Sequence, residues 1–569
     1  MADTRDDPRR SLTGAVWDIA PRAPAALFAA VDELPPLAVQ VLHNRGHDTA
    51  EKLQEFLLGP LPPHDPYLLD DMHLAVARIG QAMQKRERVC IYGDYDVDGV
   101  SATAMLLETA EALGLDAFPY IPERLTEGYG LNAGAIDAVA RERATLVITA
   151  DCGATAHEEI DRAAVAGMDV IVTDHHPTEA RPAKAAALVN PNAPGSGYPF
   201  GGLTGVGVAY KLVQALADEF PEQLPDPEHF LDLVALGTVA DVAPLTDENR
   251  AYVMEGLESM RASPRPGVRA LAEAARRTPE AIRSDDIAFA LAPRLNAAGR
   301  IASAQLALEL LQARHPVRAA ELADALNDLN AERRRLTQDV VDAARAMVNG
   351  SPVVLAADPG FAPGVVGLAA SRLSEEFGAP AFIGAEIDGL VHGSARAPDG
   401  FNLRELLRHQ DNWLENWGGH AGAAGFSVLP HNVEALRHGL AQALASLDLP
   451  EYTGPRLPAD GRVYPRTISW ETYQALESLG PWGQEHEEPR LVVENVRIQN
   501  TRLVGEDHVV LQFEELARNV EAIWFRHGDQ QPVLGRGRCV DVAFRLSLRS
   551  FRGETRLQML VDDIRLRSV

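Results

Sequence analysis

Cysteine is scarce in this chain. The three present, Cys90, Cys152 and Cys539, lie far apart with no paired spacing, which excludes a disulfide framework or a cysteine-built zinc site. No run of about 18 uncharged apolar residues occurs, so no membrane-spanning helix is expected. The opening MADTRDDPRRSLTG has no apolar signal core, and the expected location is the cytoplasm, with no membrane partner. Positive charge is also short: 53 Lys and Arg face 81 Asp and Glu, a net charge of −28. Such a balance argues against a polyanionic partner held over the whole surface. Beyond residue 100 the only lysines are Lys184 and Lys211. Any nucleic acid would therefore need a restricted basic track, and residues 532–569 offer one, with eight arginines against four acids.

At 569 residues, 46% apolar and 24% charged, the chain is globular and too long for one core, so about three or four domains are expected. Residues 1–75, rich in Pro and Asp, read as an N-terminal wrap. From 76 to about 245, short apolar runs alternate with amphipathic segments. RVCIYGD (88–94), TLVITAD (145–151) and DVIVTD (169–174) have strand length, and SATAMLLETAEALGL and LNAGAIDAVARERA are spaced as helices. That alternation predicts a parallel sheet covered on both faces. A helical stretch then leads into PVRAAELADALNDLNAERRRLTQDVVDAARAMVNG, a helical spacer of about 50 Å. PVVLAAD at 352 opens a second α/β region ending near 447, and YTGPRLPADG marks a linker. The remainder alternates apolar and polar residues with regular turn signals, as a small β-barrel does.

Three aspartates, Asp94, Asp96 and Asp98, occupy alternate positions directly after the first predicted strand. Asp151 ends the second, and Asp174, His175 and His176 end the third. Ligands of open α/β sheets sit beyond the carboxyl ends of the strands, so these groups should converge. Carboxylates so gathered repel one another unless a hard divalent ion turns repulsion into coordination. Mixed carboxylate and imidazole donors suit Mn²⁺, with Mg²⁺ as the other choice. DVDGV (96–100) also fits the nucleophile loop of haloacid-dehalogenase-like phosphatases, but no lysine follows a strand as that chemistry requires.

GDYDVDGVSA, ITADCG, VTDHH, GLTGVGVAYKL and LGTVADVAPL, in this order, resemble the motif series of the DHH phosphoesterase superfamily, named for Asp174, His175 and His176. GGHAGAAGF (418–426) resembles the signature of the associated DHHA1 domain. PRLNAAGRI (293–301), the long helix and the β-rich C-terminus are most similar to the superfamily's single-stranded-DNA exonucleases. The fold class this implies is α/β: a DHH lobe with a parallel sheet (76–315), a long connecting helix (316–350), a DHHA1 lobe (351–450), and an oligonucleotide-binding (OB-fold) β-barrel (456–569). The implied activity is 5′ to 3′ degradation of single-stranded DNA to mononucleotides by two-metal-ion hydrolysis, in DNA repair and recombination.

By the same resemblance, one metal falls to Asp96 and Asp151 with help from Asp94, and the second to Asp98, Asp151, His175 and Asp241. His176 faces a substrate phosphate oxygen. Many relatives carry a histidine where this chain has Tyr92. Arg294, Asn296 and Arg300 combine guanidinium donors with a turn and are candidate phosphate contacts. Gly419 and His420 let backbone approach the ligand, and Ser371, Arg372 and Arg396 are candidate grips for the terminal phosphate. Arg545, Arg549 and Arg552, beside Phe544 and Phe551, supply the barrel's basic track with rings for base stacking. A helicase and a single-strand-binding protein are the expected collaborators of a monomer. The alternatives are a phosphoesterase for short substrates (nanoRNA, a cyclic dinucleotide or pyrophosphate) and a non-catalytic replication scaffold.

Overall fold

The structure, a computed structural model, describes residues 11–567 apart from 32–33, 58, 60–62, 125, 349, 447–454, 506, 518–519 and 552–553. Two compact units emerge. One comprises His64–Ala243 and Tyr252–Glu451; the other combines the described residues up to 63, Pro244–Ala251, and those from 455 onward.

The first unit is built on β1 (Arg88–Gly93), β2 (Asp116–Tyr120), β3 (Leu146–Ala150), β4 (Asp169–Thr173) and β5 (Ala187–Val189). Their order is β2-β1-β3-β4-β5, and every neighbouring pair is parallel. The central strands read as unbroken apolar runs because β3 is buried throughout and β1 and β4 are buried beyond their first residue. The sequence does not announce β2 and β5. DAFPY is a half-buried edge strand carrying a proline, and ALV has only three residues.

Helix α1 (Val97–Ala112) starts earlier than SATAMLL suggests, because Asp96 caps it by accepting from the Gly99 amide at 3.1 Å. Asp98 therefore lies in its first turn. Further helices include α2 (Gly205–Glu219), capped by Thr204, α3 (Leu231–Ala240) and α4 (Ala292–Ile301). The spacer is α5 (Pro316–Ala346), whose 31 residues span about 46 Å. It leads to the second lobe, a mixed sheet of β6 (Val354–Asp358), β7 (Ala381–Ile387), β8 (Leu390–Arg396), β9 (Leu414–Gly419) and β10 (Ala423–Val428), ordered β9-β10-β8-β7-β6. Helix α6 (Val366–Phe377) packs on β7 and β8.

In the other unit, β11 (Leu491–Val504), β12 (His508–Phe513), β13 (Glu521–Trp524), β14 (Cys539–Phe551) and β15 (Glu554–Leu566) pair in the order β11-β12-β13-β15-β14, and β14 returns to β11 to close a five-stranded barrel. Residues before 64 join this unit: Val16–Ile19 pairs in parallel with Arg456–Ala459, and Leu27, Val39, Leu42 and Leu53 share a core with Leu491, Trp524 and Phe544. Phe544 is therefore not a stacking ring beside surface arginines. Strand alternation turns it inward with Leu546, while Arg545 and Arg549 fall on the other face. Arg552 lies outside the described residues. No described helix is long and apolar enough to cross a membrane.

Candidate metal centre

The carboxyl ends of β1, β3 and β4 deliver the acidic and imidazole side chains to one place. Asp94 follows β1, Asp151 follows β3, and Asp174, His175 and His176 follow β4; Asp241 arrives from the C-terminal end of α3. Three groups of potential ligands result, each with one donor atom per residue within 4.8 Å of the others: Asp94, Asp96 and Asp151; Asp98, His175 and Asp241; and Asp151, His175 and His176. Asp151 and His175 join the groups. His175 Nε2 lies 3.2 Å from Asp151 Oδ1 and 3.9 Å from Asp241 Oδ2.

Local backbone explains the placement. Asp151 adopts φ +67°, a left-handed conformation costly for most residues but accessible to aspartate, immediately after β3. The α2 N-terminus points at Asp98, whose two oxygens accept from the Gly205 and Val206 amides at 2.6 and 2.9 Å. Glycine is required at 205, since a Cβ there would overlap the Asp151 carboxylate. Asn190 and Asn192 donate to the carbonyls of His176 and His175 at 3.0 and 2.7 Å, fixing that turn.

The electrostatics are those of a crowded acid cluster. Burial and then the neighbouring Asp96 push Asp94 up to about 8 and Asp241 up to about 7. Burial holds Asp98 and Asp151 well above the ordinary carboxylate range, with Asp241 the next cause for the former and Asp98 for the latter. Burial and the charge on His176 hold His175 down to about 4, so it is a neutral imidazole. For His176 burial pulls downward, but a 2.8 Å hydrogen bond between its Nδ1 and Asp174 Oδ1, with the surrounding acids, raises it to about 9. Asp174 also accepts from the amides of Ala154, His175 and His176. It orients the His176 imidazole and holds the backbone of both histidines rather than joining the three ligand groups.

The donor set fits hard divalent cations. Asp94 Oδ1 and Asp151 Oδ1 are buried without a hydrogen bond, although His175 Nε2 is close to the latter. Buried carboxylate oxygens in this state are costly unless a cation meets them. Carboxylates with a neutral imidazole match Mn²⁺, and Mg²⁺ is compatible.

Around the centre stands a group of arginines. Arg300 is half-buried, and desolvation followed by Arg124 and Arg333 lowers it to about 10; Arg396 is lowered by desolvation and Arg124. Among the described residues, none of Arg124, Arg300, Arg333 and Arg396 pairs with a carboxylate, and the Arg333 Nε is buried without a partner. Arg294, Asn296 and Arg300 sit on helix α4, not on the turn expected from the sequence. Arg294 donates to Asn327 on α5 and to the Ala290 carbonyl. Ser371 and Arg372 lie on α6, bonded to the Gly367 carbonyl and to Gln338. Arg396 ends β8. Gly419, at φ +144°, and His420 form the tight β9-β10 turn, closed by the His420 amide on the Ala423 carbonyl at 2.7 Å.

Sequence reasoning missed Arg124, Tyr95 and Tyr129. Arg124 lies 5.0 Å over the Tyr95 ring, and Tyr129 Oη is 3.2 Å from His176 Nδ1. Tyr95, between two of the alternate aspartates, carried the one available signal. In the barrel, Arg545 is paired with Glu488 and Asp562, and Arg549 with Glu521, so acids of the barrel itself compensate both.

Three family models match: the DHH family N-terminal domain over residues 88–238, the DHHA1 domain over 349–446, and the RecJ OB domain over 459–563. The chain is 35% identical to the single-stranded-DNA-specific exonuclease RecJ of Bacillus subtilis, over 93% of this chain and 68% of that protein. It is 33% identical to RecJ of Escherichia coli, over 94% and 96%. The chain belongs to the RecJ family. RecJ of Thermus thermophilus, solved with Mn²⁺, shares its structure at a TM-score of 0.82 and 30% identity, over 97% of this chain and 80% of that one. The same RecJ solved with Mg²⁺ gives 0.77 and 29%, over 97% and 79%.

Proposed function

We propose that this chain is an exonuclease that degrades single-stranded DNA from the 5′ end, releasing mononucleotides by hydrolysis that depends on two divalent cations. The observation that carries the reading is the joining of the ligand groups through Asp151 and His175, with buried carboxylate oxygens left unbonded. Asp94, Asp96 and Asp151 would hold one cation, and Asp98, His175, Asp241 and Asp151 the other. Such a pair supplies an acidified water and positive charge opposite the phosphoryl oxygens.

The remaining work falls to the protein. Protonated His176, oriented by Asp174, donates a hydrogen bond to a non-bridging oxygen of the scissile phosphate, where negative charge grows. Arg124, Arg300 and Arg396, none ion-paired to a carboxylate among the described residues, receive the terminal phosphate, and Ser371 and Arg372 are candidates beside them. Neutral His175 remains available as a ligand over the physiological range.

Nucleotide release from 5′- and 3′-labelled single strands and from blunt duplex, with Mn²⁺, Mg²⁺ or chelator, tests this. The expected result is label released first from the 5′ end of single strands and no reaction with chelator. Equal rates on duplex, or release in the presence of chelator, would overturn it.

A further inference from the structure

Phe289 is 80% exposed in a unit whose other rings are mostly packed away. It lies within Ile287–Leu291, a π-helical turn in which the Ala292 amide bonds back to the Ile287 carbonyl, and α4 follows without a break. Such turns are rare and hold an extra residue in the helix, which costs stability unless something recovers it. In the continuous segment, the buried positions include Ile287, Ala290, Leu291, Leu295, Ala297 and Ala298. Phe289, Pro293, Asn296 and Arg300 recur at intervals of four, three and four, and so share the helix face that is not packed into the core, Phe289 exposed and the other three half-buried. At its far end that stripe reaches Arg300, in the field of Arg124, Arg396 and Tyr95. Arg294 flanks it, turned toward Asn327 and repelled by Arg334 and Arg277.

We propose that Phe289 is a nucleobase-stacking residue for the single strand trailing away from the scissile end. This rests on the exonuclease reading above and adds a subsite to it. Eleven residues separate Phe289 from Arg300, roughly 15 Å along the axis. A stacked strand covers that distance in about four nucleotides and a stretched strand in fewer. Every base has a π-face, so the contact is indifferent to sequence, as an exonuclease without base preference requires. A protein partner on the same ring is the competing occupant. The stripe's chemistry favours DNA from Phe289 onward, because Asn296 and Arg300 present amide and guanidinium donors there, and the exposed carboxylate of Asp285 stands a turn before the ring, on the side away from Arg300.

The experiment compares Phe289→Leu and Phe289→Tyr with wild type on a 5′-phosphorylated dinucleotide and on a strand of about ten nucleotides, intact or abasic at the third to fifth positions. Phe289→Leu should raise KM on the intact longer strand by about five- to hundredfold, leaving the dinucleotide and kcat unchanged, while Phe289→Tyr behaves as wild type. The abasic strand should cost wild type the same factor and Phe289→Leu nothing further. An equal loss on both lengths, a loss in Phe289→Tyr matching Phe289→Leu, or no KM change with an intact strand would overturn the proposal. An unchanged KM together with a lost affinity for a protein partner would give the ring to that partner. Wild type inactive on every strand would instead sink the exonuclease reading, so the two failures are told apart.

Discussion

Asp151 is the residue on which the site turns. Its carboxylate is buried, raised in pKa by burial and by Asp98, and shared between two ligand groups. Asparagine keeps its shape and accepts the left-handed conformation at this position, so Asp151→Asn should fold. Metal-dependent nucleotide release should fall by about a thousandfold or more. The metal-free variant should melt above the metal-free wild type at pH 8, because one of the repelling charges has gone; calorimetry with and without chelator reads both. The neighbouring acids set a pH dependence. Asp94 and Asp241 have folded values of about 8 and about 7 against an ordinary 3.8, so their contribution to stability is complete below that ordinary value and is lost as pH rises through 7 and 8. His176, raised to about 9 from 6.5, loses its contribution in the same direction. His175, held near 4, works in the opposite sense, but only below about pH 6.5. Metal-free protein should therefore melt at falling temperature between pH 6.5 and 9, and saturating Mn²⁺ should remove that fall. A flat metal-free profile would contradict the crowding of charge described here.

At the scale of elements, helices α1, α2 and α3 meet the acids through glycines with no room for a side chain. A Cβ at Gly99 would stand 2.7 Å from the Asp94 Cβ, one at Gly237 2.7 Å from Asp98 Oδ1, and one at Gly205 would overlap Asp151. Gly205→Ala should thus shift the α2 N-terminus and weaken its hold on Asp98, costing about 1–3 kcal/mol of stability. It should also raise the Mn²⁺ concentration needed for half-maximal activity by about ten- to a hundredfold, read from a metal titration. Much of this architecture was legible in the sequence, for a physical reason. Strands buried on both faces leave unbroken apolar runs, and the acids after RVCIYG, TLVITA and DVIVT fall at one end of the sheet by parallel topology alone. Other features left no local trace. Arg124 lies in an irregular segment, and its importance comes from meeting Arg300 and Arg396, which only tertiary structure brings together. The PRLNAAGR segment reads as a turn because proline and glycine punctuate it, yet Pro293 directly follows the π-helical turn Ile287–Leu291, where the regular helical bonding is already interrupted, and Gly299 fits against Tyr95.

At the scale of the molecule, the described residues up to 63 form part of the barrel unit. Leu27, Val39, Leu42 and Leu53 are at most 6% exposed, within a core completed by Leu491, Trp524 and Phe544. Burying each such leucine or valine contributes about 1.5–3 kcal/mol, so four together rival the whole stability of a domain. The pairing of Val16–Ile19 with Arg456–Ala459 joins segments more than 400 residues apart, which no local pattern in the sequence could announce. Truncation tests this placement. A chain of residues 1–446 keeps those apolar side chains but loses their partners, and should aggregate. A chain of residues 64–446 retains the acid cluster, the arginines around it and both α/β lobes, and should remain soluble and bind Mn²⁺. It should release nucleotide from a dinucleotide at a rate within about tenfold of the full chain, and a rise in KM confined to long strands would measure what the barrel adds to strand binding. Size-exclusion chromatography with the Mn²⁺-dependent assay checks each outcome, and a monodisperse 1–446 chain beside an aggregating 64–446 chain would show that the N-terminal residues draw their stability from elsewhere.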